Sequence, residues 1–134
     1  MRVRVVLDTN IIVSGLLKPQ SSCGKILELA LSGAFDLCLD ARVLSEYREV
    51  LLRPKFNFEP EQVEILLKAL ADFALWHPIK PIAISLPDKD DEAFLEVAVG
   101  AKALFLVSGN LRHFPLGEYE GVRMTDPVSF LEHF

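Results

Sequence analysis

The sequence alternates short apolar runs with longer stretches of helical periodicity, and this alternation restricts the possible fold more than any other feature. The apolar runs at residues 2–7, 35–40 and 103–110 are typical of strands. In the first run the residues are apolar on both faces, which is typical of a parallel strand that is covered on both sides. The element order βαβα(α)βαβα therefore predicts a three-layer α/β domain with a mainly parallel sheet.

Apolar spacing and stop signals predict the helices between these strands. The predicted helices cover residues 11–17, 23–33, 41–54, 59–75 and 91–102, and residues 122–134 contain a strand followed by a terminal helix. Prolines interrupt residues 79–90, so this stretch is at best a short or edge strand. The chain shows no repeat and no linker, and we expect one domain over residues 1–134.

Hydrophobic residues make up 51% of the chain, yet no apolar run has the roughly 18 residues that a membrane-spanning helix needs. The first ten residues lack the shape of a signal peptide because Asp8 ends their apolar run. We therefore expect a cytoplasmic protein with no membrane partner. The apolar excess indicates a covered sheet or a subunit interface, so a homodimer is plausible.

The net charge of −5, from 19 acidic and 14 basic residues, argues against a protein that coats nucleic acid without specificity. It is compatible with an acidic cleft that binds a divalent metal ion. Cys23 and Cys38 lack metal-binding spacing, and the three histidines are too scattered to predict a zinc site.

Polar side chains that occur where apolar elements end are the candidate site residues. Asp8 follows the first strand and Asn110 follows a later buried strand, so both belong to the carboxyl edge of a parallel sheet, where ligands bind. Glu46 lies at the margin of the apolar stripe of the third predicted helix, because it is three residues after Val43. Asp91 shares the inward face of the fifth predicted helix.

Carboxylates that converge repel one another unless a cation neutralises them. Oxygen ligands of this kind suit Mg²⁺ or Mn²⁺, ions that meet substrate phosphates and activate water for attack on phosphorus. The sequence contains no GxSxG motif, no Walker glycine pattern and no convincing Cys/His pair. Metal-dependent hydrolysis of a phosphodiester therefore accounts best for Asp8, Glu46, Asp91 and Asn110.

Four segments in this order resemble those of the PIN domain family, in its branch of toxin components related to VapC. The segments are "VVLDTNIIVSGLL", "LSEYREVLLRPKF", "LPDKDDEAFLEVAVGAKALFLVSGNLRHFP" and "MTDPVSFLEHF". The resemblance implies a three-layer α/β/α sandwich and a ribonuclease that depends on Mg²⁺ or Mn²⁺. It also implies a dimer that is blocked by an antitoxin, with metal ligands at Asp8, Glu46 and Asp91.

The chain departs from this family where a "TGD" pattern is expected, because Ser108 and Asn110 stand in place of Thr and Asp. The departure removes one negative charge, so metal affinity or activity could be lower. Asn110 could still orient a metal-bound water through its carbonyl oxygen.

Several residues have alternative roles. Thr9 and Asn10 either cap the first helix or orient Asp8, and Asp88 either caps a helix or lies in the outer shell of the metal site. Glu46 could instead form an exposed ion pair with Arg42. Arg112 is the best candidate for a phosphate contact because it follows Asn110 closely.

There are two functional alternatives to a ribonuclease. One is a catalytically weak domain that binds RNA or an antitoxin, and the other is a nuclease or phosphatase that acts on DNA or a small phosphoester.

Overall fold

The protein, described here by a computed structural model of residues 2–76 and 81–134, is built around a single sheet. In these residues the strands are β1 (Arg4–Leu7), β2 (Asp36–Leu39), β3 (Leu75–Trp76), β4 (Phe105–Val107), β5 (Glu118–Tyr119) and β6 (Val122–Thr125). Their spatial order is β3-β2-β1-β4-β6-β5. All neighbouring strands are parallel except β5 and β6, which are antiparallel.

The strand order reverses between β1 and β4. From β1 the chain first proceeds outward to β2 and β3, and then returns past β1 to β4. The two strands pair in register from Val5 with Phe105 to Leu7 with Val107, so their carboxyl ends lie side by side. A reversal of this kind opens a crevice at the carboxyl edge of the sheet, and this is where ligands of open α/β sheets bind.

Helices cover the sheet and complete the predicted three-layer α/β/α sandwich. They are α1 (Thr9–Leu17), α2 (Ser22–Ser32), α3 (Ala41–Leu51), α4 (Pro60–Phe73), α5 (Glu92–Ala101) and α6 (Pro127–Leu131). Helix α2 packs against α1, α4 and α6, whereas α5 packs against β1, β2 and β4. Helix α5 also contacts α3, where Arg42 pairs with Glu96 at 2.6 Å. None of the helices in the described part of the chain is long and apolar enough to cross a membrane.

Local sequence signals set the helix ends. Asp40 caps α3 because its Oδ1 accepts a 3.0 Å hydrogen bond from the Val43 N–H. Gly33 ends α2 with φ at 77°, a left-handed conformation that glycine adopts without steric cost. Proline begins α4 and α6, where its missing N–H would have no partner within the helix.

A buried hydrogen bond joins helix α3 to the sheet. Tyr47 on α3 is fully buried, and its hydroxyl donates a 2.6 Å hydrogen bond to the backbone oxygen of Leu7 at the end of β1. Leu7 precedes Asp8, and Tyr47 follows Glu46. This contact therefore ties together the two chain segments that carry these acids.

The predicted elements are found, with shifted ends. Helix α1 begins at Thr9, two residues earlier than expected, because Asp8 caps it. Helix α4 ends at Phe73, and Leu75, predicted as the last residue of that helix, instead forms the edge strand β3 together with Trp76. Of the extended stretch predicted at 79–90, residues 79 and 80 lie outside the described residues. Residues 81–88 contain no strand, and residues 89–91 form a 3₁₀ turn. The hairpin strand β5 was not predicted.

Candidate metal centre at the edge of strands β1 and β4

Asp8 lies at the carboxyl end of β1 with only 5% of its surface exposed. Its backbone N–H donates to Val107 on β4 at 2.9 Å, which holds the residue against the neighbouring strand. The carboxylate accepts a 2.8 Å hydrogen bond from the Thr9 N–H on Oδ1 and caps α1. Asp8 is therefore both a helix cap and a buried acid in the crevice.

Ser108 and Asn10 hold the second oxygen of Asp8. The Ser108 hydroxyl donates to Asp8 Oδ2 at 2.7 Å, and the Asn10 amide donates to the same oxygen at 3.2 Å. Asn10 also accepts a 2.9 Å hydrogen bond from the Gly109 N–H through Oδ1, so it spans α1 and the loop after β4. Thr9 contributes its backbone N–H, and its buried hydroxyl oxygen has no partner among the described residues. Of the two roles considered for Asn10, the structure places the side chain against Asp8.

Asp91 approaches Asp8 from the 3₁₀ turn Lys89–Asp91 that leads into α5. It is 8% exposed. Its Oδ2 lies 3.2 Å from Nδ1 of His113, but the pair lacks hydrogen-bond geometry, and this buried oxygen has no hydrogen-bond partner among residues 2–76 and 81–134. An unpartnered buried carboxylate oxygen is costly unless a ligand satisfies it.

His113 completes a compact group that the sequence did not predict. One ligand atom from each of Asp8, Asp91 and His113 lies within 4.8 Å of the other two. His113 belongs to the 3₁₀ turn Leu111–His113 after β4. The signal available in the sequence was its position three residues after Asn110, the spacing that brings two side chains to one face of a 3₁₀ turn.

Glu46 lies close to this group but outside it. The residue is half-buried on α3, and the charges of Asp8 and Asp90 contribute to its raised pKa. Its carboxylate has no ion pair in the described residues, because Arg42 pairs with Asp40 at 2.8 Å and with Glu96 at 2.6 Å. The alternative ion pair between Arg42 and Glu46 is therefore not formed. Glu46 lines a cavity of about 390 Å³ together with Asp90 and Lys89.

Asn110 is exposed and does not face the carboxylates. Its Oδ1 accepts a 3.2 Å hydrogen bond from the Arg112 N–H, and its Nδ2 lies 3.2 Å from Nε2 of His113. Asp88 is also exposed, and it caps the 3₁₀ turn before α5 by accepting a 2.9 Å hydrogen bond from the Asp90 N–H. The side chain of Arg112 is exposed and forms no ion pair with the described residues.

Burial raises the pKa of each of the three acids. For Asp8 the hydrogen bonds from Ser108 and Thr9 oppose this effect. For Asp91 burial and then the charge of Asp8 raise the pKa to about 6. For Glu46 burial is followed by the charge of Glu49. The carboxylates are thus held together against their mutual repulsion.

The donor set fits a divalent metal ion. Two buried carboxylates converge, one of their oxygens has no partner, and a third acid lies nearby. Hard oxygen ligands suit Mg²⁺ and Mn²⁺, and a bound cation would offset the cost of burying these negative charges together. Asp8, Asp91 and Glu46 are the residues that could hold it.

Comparison with known proteins identifies the family of this chain. The sequence model of the family described as PIN domain matches residues 4–112. The uncharacterized protein MJ1680 of Methanocaldococcus jannaschii is 28% identical over 110 residues, which span 79% of this chain and 70% of that protein.

Two solved structures share the fold. A chain of VapBC2 from Rickettsia felis, bound to a DNA fragment from their promoter, superposes with a TM-score of 0.60 at 17% identity. The superposition covers 92% of this chain and 98% of that one. A chain of FitAB, bound to the IR36 DNA fragment, also gives a TM-score of 0.60, at 23% identity, and covers 92% and 94% of the two chains. At these identities the likeness concerns the fold.

Proposed function

The chain belongs to the PIN domain family, and on that premise we propose that residues 1–134 form a metal-dependent endoribonuclease. The observation that carries the proposal is the convergence of Asp8 and Asp91 where strand order reverses, with Oδ2 of Asp91 left without a hydrogen-bond partner. Burial raises the pKa of both carboxylates, and the charge of Asp8 raises the pKa of Asp91 further. A functional cation accounts both for the unfavourable burial of the two carboxylates and for the unpartnered Oδ2 of Asp91.

Asp8, Glu46 and Asp91 are the proposed ligands of Mg²⁺ or Mn²⁺. When bound, such an ion polarises water and offsets the negative charge that develops on phosphorus. Asp8 is held for this task by Ser108 and Asn10, which leave its carboxylate a single orientation. Glu46 has no competing ion pair, so its charge is available to the same cation.

Arg112 is the proposed contact to the substrate phosphates. The basic side chains on α3 and just after it are less suited, because Arg48 pairs with Glu64 at 3.0 Å and Arg53 with Glu49 at 2.9 Å. Arg112 is exposed and directly precedes His113 in the 3₁₀ turn Leu111–His113. One unpaired cation at the crevice suits recognition of a local phosphate rather than coating of a long duplex.

We extend the proposal to the biological setting of the enzyme. The family resemblance and the likeness to chains of VapBC2 and FitAB support a cytoplasmic toxin that pairs with an antitoxin protein. The high apolar content supports a homodimer. These partners would cover apolar surface that the chain alone exposes, such as Ile65, which is 58% exposed.

The test is cleavage of single-stranded RNA by the purified protein with Mn²⁺, compared with EDTA. We expect metal-dependent cleavage that is lost in Asp8→Asn and Asp91→Asn. The matched control is Asp72→Asn, because Asp72 is an exposed acid paired with Lys68 at 2.8 Å on α4. Single-stranded DNA and a phosphomonoester tested in parallel define the substrate class.

Three outcomes would contradict parts of the proposal. Cleavage that persists in Asp8→Asn would point to a contaminant and remove the site assignment. Cleavage of DNA or of the phosphomonoester alone would replace RNA as the substrate. Absence of all cleavage with retained RNA binding would favour a binding module, the alternative that the asparagine at position 110 first suggested.

A further inference from the structure

The amide of Asn110 has a defined orientation, although exposed amides usually do not. Its Oδ1 accepts the Arg112 N–H at 3.2 Å within the 3₁₀ turn, and a backbone N–H can only donate. Turning the amide over would place two donors against each other. The Nδ2 group is therefore directed at Nε2 of His113, 3.2 Å away.

This orientation selects one form of the imidazole ring. Because Nδ2 of an amide is a donor, Nε2 of His113 must accept and carries no proton in the neutral ring. The ring proton then resides on Nδ1, the atom 3.2 Å from Oδ2 of Asp91. The hydrogen bond made by one ring nitrogen thus decides what the other nitrogen offers to the site.

We propose that Asn110 is a positioning residue that holds His113 as the Nδ1–H form, so that the ring presents a hydrogen-bond donor beside Asp91. The role of this donor toward a phosphate oxygen rests on the proposed nuclease function, whereas the ring form itself does not. His113 is then no ligand of the metal ion, despite its place among the Asp8 and Asp91 oxygens.

An aspartate at position 110 would favour the Nε2–H form of His113 instead of the Nδ1–H form. One carboxylate oxygen could still accept the Arg112 N–H, while the other would accept a proton from Nε2 of His113. A carboxylate that accepts from one ring nitrogen leaves the other nitrogen with a lone pair, as in histidine ligands of zinc. The asparagine therefore determines whether the site has an imidazole donor or an imidazole ligand.

The test is the ¹⁵N NMR spectrum of the histidine rings in metal-free protein at about pH 8, where an unperturbed imidazole is neutral. Protonated and unprotonated ring nitrogens have well-separated shifts. We expect an unprotonated Nε2 and a protonated Nδ1 for His113 in the native protein, and the reverse in Asn110→Asp. His133 is the internal control, because it stacks on Phe105 with the ring centroids 4.6 Å apart and should not change. A protonated Nε2 of His113 in the native protein would overturn the proposal.

Zinc affinity provides a second measurement that does not depend on activity. In the Asn110→Asp background, adding His113→Gln should weaken Zn²⁺ binding by about 10-fold or more, because a ligand is lost. In the native background the same substitution should change Zn²⁺ binding by less than about 2-fold, because His113 is not a ligand there. The difference between the two backgrounds measures the coupling between Asn110 and His113. Equal losses in the two backgrounds would overturn the proposal. Neither measurement requires cleavage of RNA. A failure of the nuclease assignment can therefore be distinguished from a failure of this proposal.

Discussion

The hydroxyl of Ser108 donates a 2.7 Å hydrogen bond to Oδ2 of Asp8, and this bond joins residues that lie 100 positions apart in the chain. Both residues are buried, and they follow the paired strands β4 and β1. A neutral donor stabilises the ionised form of the acid without adding a competing positive charge. The bond therefore fixes the orientation of Asp8 while leaving its charge available.

Ser108→Ala tests this relationship. The substitution leaves Oδ2 of Asp8 with the weaker 3.2 Å bond from Asn10. We expect the free energy of unfolding to fall by about 1–2 kcal/mol and RNA cleavage to fall by about 10-fold or more. Denaturant unfolding and cleavage rates with Mn²⁺ measure the two effects.

Ser108→Thr is the control because it retains the hydroxyl. We expect cleavage by this variant to stay within a few-fold of the native rate. If the alanine variant cleaves RNA as fast as the threonine variant, the hydroxyl does not position Asp8.

Asp91→Asn should stabilise the metal-free protein while abolishing metal binding. The pKa of Asp91 in the folded protein is about 6, above the ordinary value of 3.8. Ionisation of this buried group therefore opposes folding at neutral pH. We expect the substitution to raise the free energy of unfolding in EDTA at pH 7 by about 1–2 kcal/mol. With Mn²⁺ the native protein should be more stable than Asp91→Asn, because only the native protein is stabilised by binding the ion.

The raised pKa of Asp91 also determines how the free energy of unfolding changes with pH. The folded state binds the Asp91 proton more tightly than the unfolded state, so this group lowers stability as pH rises from about 4 to about 6. The advantage of Asp91→Asn should vanish below about pH 4, where the carboxyl is protonated in both states. Asp72→Asn, at an exposed ion pair, should change stability by no more than about 0.5 kcal/mol at any pH. An advantage of Asp91→Asn that did not depend on pH would argue against charge repulsion as the cause.

Glu46→Gln should reduce metal affinity with little effect on stability. Glu46 is half-buried beside the Asp8 and Asp91 charges and has no ion pair in the described structure. We expect Mn²⁺ to bind about 10- to 100-fold more weakly, as measured by calorimetry. The control is Glu49→Gln on the same helix, because Glu49 pairs with Arg53 on the surface. Similar losses in both variants would indicate a general charge effect rather than ligation.

Arg112→Ala should weaken substrate binding more than chemistry. The side chain is exposed and carries an unpaired charge in the described structure, so its loss should raise KM about 3- to 10-fold while kcat changes little. Removal of one phosphate contact should also reduce the salt dependence of RNA binding by about one ion. Arg53→Ala, whose charge Glu49 already neutralises, is the matched control. An unchanged KM in Arg112→Ala would remove this residue from the substrate contacts.

Local patterns predicted most of the fold. Strands β1, β2, β4 and β6 were all expected from the sequence, and the helices between them have clear apolar stripes. The short edge elements were not predicted correctly. Strands β3 and β5 contain two residues each, and pairing with a neighbouring strand rather than any internal pattern defines them.

The sequence by itself determined which polar groups reach the carboxyl edge of the sheet. Asp8 and Ser108 follow apolar strands directly, and helical spacing places Asp91 on an inward face. Only the tertiary structure decided which of these groups converge as candidate metal ligands and which surround them. Asn110 lies at the expected edge but its amide contacts His113, and His113 in turn reaches Asp91 in a separate 3₁₀ turn. The physical reason is that residue spacing relates side chains within one turn, whereas the contact between the turns Leu111–His113 and Lys89–Asp91 depends on how distant parts of the chain pack together.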